Sequence, residues 1–204
     1  MRVLVTREEL VARVASLGHD AVLCELIRVE PLGDDPVDAR PYDWLVVTSR
    51  NGAHELARRG VTANRIAAIG PATADALRSH GLRVDLVAAT HSQEGLREEL
   101  PPGKLLLAAA ENARQDVLDA DFMPLYRTVE LRPDVPEADV ALLMSGSAGR
   151  ALAATGARMP VVAIGPQTAA EARSAGLEVV AVAVTHDLDG LVQALRSRSW
   201  SSPS

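Results

Sequence analysis

The sequence has few of the residues that mark several functional classes. Aromatic residues make up 2% of the chain, with a single phenylalanine, so we expect no aromatic platform that stacks bases. The net charge is −6, which argues against a nucleic-acid binder. The single cysteine, Cys24, excludes an internal disulfide, and neither a CxxC pair nor a Cys/His cluster indicates a metal site.

Long hydrophobic runs are also missing. Even a run as long as residues 179–184 is far too short to cross a membrane. The opening residues MRVLV are typical of a strand and do not predict a signal peptide. Together with the low cysteine content, these features lead us to expect a cytoplasmic protein that binds neither membranes nor nucleic acid. We also expect a monomer.

What the sequence does contain is a regular alternation of short apolar runs and amphipathic stretches. Of the 204 residues, 48% are hydrophobic and 24% are charged, as in globular proteins. The runs are continuous, which predicts strands buried on both faces of parallel sheets flanked by helices, an α/β fold. The predicted strands are 3–5, 21–26, 44–48, 66–69, 84–87, 105–108, 124–129, 140–144, 161–164 and 179–184. Helices are predicted within 8–17, 52–59 and 73–80.

An internal repeat divides the chain into two similar α/β units. The segment IGPATA at 69–74 matches IGPQTA at 164–169, an offset of 164 − 69 = 95 that holds without a gap to Leu100 and Leu195. A fainter echo relates residues 26–32 to residues 125–131. We expect these two echoing segments to run between the domains, paired as a two-stranded ladder.

The echo predicts a discontinuous first domain. Proline- and acid-rich stretches at 31–41 and 132–137 have the composition of linkers. Domain one would then comprise residues 1–30 and 131–196, domain two would comprise residues 35–125, and residues 197–204 would form a frayed tail.

Candidate binding residues follow the predicted strands. In open α/β sheets, ligands bind beyond the carboxyl ends of the strands. The loops there are rich in small hydroxyl residues and precede helices, whose free N–H groups attract anions. A cleft that binds a molecule with several acidic groups is therefore expected. The candidates are Thr6, Arg7, Thr48, Ser49, Arg50, Asn51, Thr73, Ser92, Arg114, Ser145, Gly146, Ser147, Gln167 and Thr168.

Ordinary structural roles compete with ligand binding at these positions. Ser and Asp before a helix are common N-caps, and capping is the leading interpretation of Ser92 and Asp187. A structural or solvent-facing role is the leading interpretation of His91 and His186. Tyr126, at the expected crossing between domains, is a candidate hydrogen-bond donor or general acid. A half-buried tyrosine in a ladder strand is the alternative.

The motifs, taken in order, resemble those of the uroporphyrinogen-III synthase family. The matching segments are VTR at 5–7, VVTSRNGA at 46–53, AIGPATA at 68–74, SQEGL at 92–96, LYRT at 125–128, SGSA at 145–148 and AIGPQTA at 163–169. They span nearly the whole chain. One departure is the stretch 110–122, which is shorter than expected and lacks a glycine, so that a helix starting at Asn112 must be brief.

The resemblance implies both a fold and a reaction. The family has two α/β domains, the first discontinuous, joined by a two-stranded ladder. Its reaction dehydrates hydroxymethylbilane and cyclises it to uroporphyrinogen III, inverting ring D through a spiro intermediate in the inter-domain cleft. No metal or organic cofactor is implied, and the substrate would come from hydroxymethylbilane synthase. Tyr126 matches a family tyrosine suggested as the proton donor, and Thr73 and Thr168 match threonines at the cleft.

Two other functions stay open on the sequence. A homologue without catalytic activity would bind a tetrapyrrole or another polycarboxylate as a sensor or regulator. A scaffold of receiver or flavodoxin type is the second alternative. A receiver needs acidic residues after the first strand and a late lysine, whereas Thr6 and Arg7 follow that strand here. No aromatic residue flanks the loops to support a flavin.

Overall fold

The structure, a computed structural model, describes residues 1–197 and divides the chain into two compact units. Unit 1 joins Met1–Arg28 to the part of the chain that begins at Val129, and unit 2 is Val29–Thr128. Unit 1 is thus discontinuous in sequence. Of the predicted tail, Ser197 caps the last helix, and residues 198–204 lie outside the described residues.

Strands and helices alternate along most of the described chain. The strands are β1 (Arg2–Val5), β2 (Asp20–Leu23), β3 (Ile27–Pro31), β4 (Trp44–Val47), β5 (Ile66–Ala68), β6 (Leu86–Val87), β7 (Leu105–Ala110), β8 (Asp121–Glu130), β9 (Val140–Leu143), β10 (Val161–Ala163) and β11 (Val179–Val182). The helices are α1 (Glu9–Ala15), α2 (Arg50–Arg58), α3 (Pro71–Ser79), α4 (Gln93–Glu99), α5 (Gly146–Ala154), α6 (Pro166–Ser174) and α7 (Leu188–Arg196). Each predicted strand overlaps an observed one.

Unit 1 is built on a five-stranded parallel sheet with the order β11-β10-β9-β1-β2. Helices cover both faces of this sheet. Val3 and Val5 pack with α1 and α7, whereas Leu4 packs with α5 and α6. Because successive strand residues point to opposite faces, a strand covered on both sides is apolar at every position. This burial explains why the strands appear in the sequence as continuous apolar runs.

Unit 2 contains a six-stranded sheet with the order β3-β8-β7-β4-β5-β6. The strands from β8 to β6 are parallel. Leu45 and Val47 of β4 pack with α2 and α3, and Trp44 and Val46 pack on the opposite face with α4. The two sheets flanked by helices confirm the predicted α/β fold.

The repeat seen in the sequence relates equivalent elements of the two units. An offset of 95 carries β5 onto β10 and α3 onto α6, residue for residue. The spatial order β6-β5-β4-β7-β8 of unit 2 corresponds to β11-β10-β9-β1-β2 of unit 1. The units therefore share one sheet architecture, although the chain enters it at different strands.

The crossover from β7 to β8 differs from its counterpart in unit 1. Helix α1 connects β1 to β2, whereas residues 111–120, between β7 and β8, contain no helix. The expected brief helix starting at Asn112 was therefore wrong. Val117 and Leu118 of this segment are buried, and Leu118 packs on the sheet in place of a helix. Ten residues leave too little length for a helix together with the two turns that a parallel crossover needs.

The two echoing segments form a pair of strands, as predicted. Strand β3 lies beside β8 at the edge of the six-stranded sheet. The Leu32 N–H donates to the Leu125 carbonyl, and the Leu131 N–H donates to the Leu26 carbonyl, each at 2.9 Å. Along this pair, the residue number rises in one strand as it falls in the other, which is the register of an antiparallel pair.

In the described part of the chain, none of the helices is long and apolar enough to span a membrane.

Candidate functional site

The sheet order places a candidate site at the carboxyl ends of two strands in each unit. Ligands of open α/β sheets bind where neighbouring strands send their connections to opposite faces. In unit 1, α1 follows β1 onto one face and α5 follows β9 onto the other. In unit 2, α2 follows β4 and residues 111–120 follow β7, again onto opposite faces. The candidate residues 6–7 and 145–147 lie at the first position, and residues 48–51 lie at the second.

In unit 1, hydroxyl groups and one arginine meet at this position. Thr6 is 7% exposed, and its hydroxyl donates to the Leu142 carbonyl at 3.5 Å. Ser145 caps α5 by accepting the Ala148 N–H at 3.2 Å, and its Oγ lies 3.0 Å from the Oγ of Ser147. Arg7 is half-buried, and its guanidinium has no partner among the described residues. Its uncompensated positive charge is suited to binding an anion.

A carboxylate of the protein itself approaches the start of α5. Glu171 forms an ion pair with Arg150, and a Cβ added to Gly146 would collide with the Glu171 carboxylate. The glycine therefore makes room for this acidic group. The side-chain amide of Gln167, a predicted substrate-binding residue, donates a hydrogen bond to this Glu171 carboxylate at 3.4 Å.

In unit 2, the corresponding position holds the candidate tyrosine. The Tyr126 hydroxyl lies 2.8 Å from Ser49 Oγ, which also accepts the Gly52 N–H at 3.0 Å and so caps α2. Tyr126 is 5% exposed. Burial raises the pKa of its phenol, and hydrogen bonds with Ser49 and Asn51 oppose that rise. The phenol therefore stays protonated at neutral pH and can act only as a proton donor.

The remaining candidates around α2 have fewer contacts. Thr48 and Asn51 are half-buried, and Arg50 is exposed. The guanidinium of Arg50, like that of Arg7, has no partner within residues 1–197. Each unit thus has one unpaired arginine beside the carboxyl ends of its central strands.

The repeated Gly-Pro-x-Thr turns open helices α3 and α6. Gly70 and Gly165 are the N-caps and supply no capping side chain. Thr73 and Thr168 are 5% and 7% exposed, and neither hydroxyl is hydrogen-bonded to another described residue. Neither hydroxyl oxygen is a fully buried atom without a partner, so each keeps some contact with solvent. Both helices therefore begin with donors that a ligand can satisfy.

Two histidines that the sequence interpretation did not assign to the site lie against these turns. A Cβ added to Gly70 would be 3.2 Å from the His91 ring, and one added to Gly165 would be 3.2 Å from the His186 ring. Both histidines are exposed. Their recurrence at an offset of 95, next to equally recurrent glycines, is the sequence signal that could have found them.

Two other candidates have structural partners of their own. Ser92 caps α4 by accepting the Gly95 N–H at 3.0 Å. Arg114 is exposed and pairs with Glu94 at 2.9 Å and Asp116 at 3.4 Å, so its charge is already compensated. Within the described range, no three His, Cys, Asp or Glu side chains are grouped so as to hold a metal ion.

Comparison with known proteins gives a consistent result. Residues 8–193 match the family model of uroporphyrinogen-III synthase HemD. A protein of Archaeoglobus fulgidus, provisionally named uroporphyrinogen-III synthase, is 26% identical over 97% of this chain and 99% of its own.

Solved structures show the same fold. A mutant uroporphyrinogen III synthase of the extremely thermophilic bacterium Thermus thermophilus superposes with a TM-score of 0.67 at 18% identity, covering 97% of this chain and 100% of that one. At this identity the match concerns the fold alone.

Proposed function

Because the chain belongs to the uroporphyrinogen-III synthase family, we propose that it dehydrates and cyclises hydroxymethylbilane to uroporphyrinogen III, with ring D inverted. One observation carries the proposal. Each unit opens a helix with the same Gly-Pro-x-Thr turn, and the hydroxyl of each largely buried threonine has no hydrogen-bond partner among the described residues. A substrate with an acetate and a propionate on every pyrrole has carboxylates for both turns.

The substrate is a polyanion, whereas the net charge of the chain is −6. Binding must therefore rest on local groups and not on long-range attraction. Helix N-termini provide N–H donors and the positive end of the helix dipole. Arg7 and Arg50, whose charges no described residue compensates, add a formal positive charge in each unit. These groups favour carboxylates over neutral ligands.

The chemistry requires positioning more than activation. Hydroxide leaves an electron-rich pyrrolylmethanol readily, so the enzyme has to hold the chain such that closure follows the spiro path and not simple end-to-end joining. Holding reacting groups in place is itself a large catalytic effect. Several carboxylate contacts along the substrate supply this constraint.

We assign to Tyr126 the proton that turns the departing hydroxide into water. Burial keeps the phenol protonated, as a donor requires. Since the phenol is 5% exposed and bonded to Ser49, the half-exposed Ser49 hydroxyl passes the proton on. The same hydrogen bond holds the phenol in one orientation.

Three narrower expectations stay predictions. The single cysteine, which is 6% exposed, is consistent with work in the cytoplasm. A monomer and direct transfer of the substrate from hydroxymethylbilane synthase are predicted as well. Sedimentation of the protein alone and with that synthase tests the last two.

The deciding experiment supplies freshly generated hydroxymethylbilane, oxidises the products and separates the uroporphyrin isomers. We expect isomer III in an amount that depends on the protein. Isomer I alone, at the spontaneous rate and with folded protein, would refute the synthase function. Tight binding of the tetrapyrrole without isomer III would instead indicate a homologue that binds and does not catalyse.

Paired substitutions then test the threonine turns. Thr73→Val and Thr168→Val remove a hydroxyl and keep the shape of the side chain. Each should raise KM for hydroxymethylbilane about tenfold, the value of one hydrogen bond to a charged group. Arg114→Gln is the matched control, because Glu94 and Asp116 already pair with that arginine and its loss should leave KM within about twofold. Valine variants with the KM of the wild type would contradict this role of the turns.

A further inference from the structure

The same unusual contact occurs once in each unit. The His91 ring lies against Gly70, the N-cap of α3, and the His186 ring lies against Gly165, the N-cap of α6. The two histidines are 95 residues apart, as are the two glycines. Both rings are exposed, so the contact is not part of either hydrophobic core. Its recurrence in the two units argues that the arrangement of ring and helix end serves a common purpose.

The glycines are explained by the histidine rings and not by backbone conformation. Gly70 and Gly165 have φ of −177° and −172°, extended values that any residue adopts. Helices α2, α4, α5 and α7 begin with Ser or Asp, whose side chains accept a backbone N–H. A Cβ at either glycine would approach the imidazole to 3.2 Å, closer than ordinary contact. The chain therefore forgoes a capping side chain at these two helices and keeps room for a ring.

Each ring lies beside a helix end where some donors lack a protein partner. Pro71 and Pro166 have no N–H, and the Thr73 N–H donates to the Gly70 carbonyl at 3.2 Å. No side chain caps the first N–H groups of α3 or α6. Thr73 and Thr168 are more than nine-tenths buried, and their hydroxyls bond to no other described residue. The N–H of Ala72 or Gln167, a threonine hydroxyl and an imidazole thus belong to one helix end in each unit, where a carboxylate is the matching ligand.

We propose that His91 and His186 are equivalent substrate-contact residues. Each donates an imidazole N–H to a carboxylate bound at the N-terminus of α3 or α6. The proposal rests on the proposed function for the identity of that carboxylate, an acetate or propionate of the tetrapyrrole. It assigns the histidines to binding and not to the chemical step. Their removal should therefore change KM and leave kcat as it is.

The test compares His91→Leu and His186→Leu with His91→Asn and His186→Asn. Leucine removes the donor, whereas asparagine keeps an N–H donor. Asparagine also tolerates the left-handed conformation of residue 91, where φ is 44°. Each leucine variant should raise KM about tenfold with kcat unchanged, and asparagine should restore most of the loss. His80→Leu is the control, an exposed histidine at the opposite end of α3.

Titration calorimetry with uroporphyrin III, the stable oxidised form of the expected product, provides a readout without turnover. The leucine variants should bind this polycarboxylate about tenfold more weakly than the wild type. If the wild type binds uroporphyrin III but makes no isomer III, the proposed function is refuted. The affinities of the leucine variants still test the role of the histidines in that case.

Three results would overturn the assignment. The leucine variants could keep the KM and the porphyrin affinity of the wild type, they could lower kcat alone, or His80→Leu could weaken binding equally. Should His91→Leu unfold, His186→Leu tests the same claim in the other unit.

Discussion

The hydrogen bond between Tyr126 and Ser49 can be tested by a double-mutant cycle. The variants are Tyr126→Phe, Ser49→Ala and the two together. Tyr126→Phe keeps the buried ring and removes only the hydroxyl that lies 2.8 Å from Ser49 Oγ. Ser49→Ala removes that bond and also the cap on the Gly52 N–H. The two side chains share one interaction, which the cycle isolates.

The structure sets the expected energies. Loss of one neutral hydrogen bond destabilises by about 1 kcal/mol, so Tyr126→Phe, which loses the bonds to Ser49 and Asn51, should lower the free energy of unfolding by about 2 kcal/mol. Ser49→Ala loses this bond and a cap of similar worth, about 2 kcal/mol in all. The double variant should lose about 3 kcal/mol and not the sum of about 4 kcal/mol, because the shared bond can be lost only once. The coupling energy is then about 1 kcal/mol.

Urea unfolding followed by tryptophan fluorescence measures these energies. Trp44 lies in β4, the strand that leads to Ser49, and is 5% exposed, so its emission reports the unfolding of unit 2. A Trp200→Phe background leaves Trp44 as the only tryptophan, since the chain contains two. A coupling below about 0.3 kcal/mol, within the additivity of independent sites, would refute the hydrogen bond.

The same cycle addresses catalysis. If Tyr126 supplies its proton through Ser49, either single variant should lower kcat by about 10² or more, the usual contribution of a general acid. The double variant should be no slower than the worse single one, because both changes break the same route. Tyr126→Phe with full activity would remove the proton-donor role. A double variant slowed by the product of the single effects would show that the two hydroxyls act independently.

Three further predictions concern stability. Burial raises the pKa of Tyr126 above its unfolded value of about 10. The contribution of this phenol to stability is therefore complete below about pH 10 and is lost as the pH rises through the folded pKa. In Tyr126→Phe, the free energy of unfolding should consequently fall less steeply with rising pH in the alkaline range. The Gly190 N–H donates a hydrogen bond to the Asp187 carboxylate and so lowers the pKa of Asp187. The ionised carboxylate therefore stabilises the fold above about pH 4, and this stabilisation is lost in acid. Asp187→Asn should reduce the loss of stability below about pH 4, as measured by thermal unfolding. A Cβ at Gly190 would collide with the backbone carbonyl of Thr185, whereas one at the equivalent Gly95 would meet mainly the movable Thr90 hydroxyl; Gly190→Ala should therefore cost about 1–3 kcal/mol and Gly95→Ala less, and equal losses in urea unfolding would contradict this difference.

Much of the candidate site could be placed from the sequence, because strand ends and helix starts are local features. Ser49 and Ser145 were predicted at the starts of helices, and both cap one. The partner of Tyr126 could not be predicted, since residues 49 and 126 meet only because β7 alone separates β4 from β8 in the sheet. For the same reason the sequence did not reveal that Arg114 pairs with Glu94, 20 residues away. Long-range contacts depend on strand order, which hydrophobic periodicity does not encode.

The sequence by itself determined the repeat, the positions of the strands and the α/β class. These follow from local chemistry: a parallel strand covered on both faces must be apolar throughout, and the offset of 95 is visible in the residues themselves. Only the tertiary structure decided that β1 and β2 occupy in unit 1 the places that β7 and β8 occupy in unit 2. It alone also placed His91 and His186 on the helix-capping glycines. Both outcomes depend on how the apolar faces of sheet and helices pack together, and therefore on contacts between segments far apart in the chain.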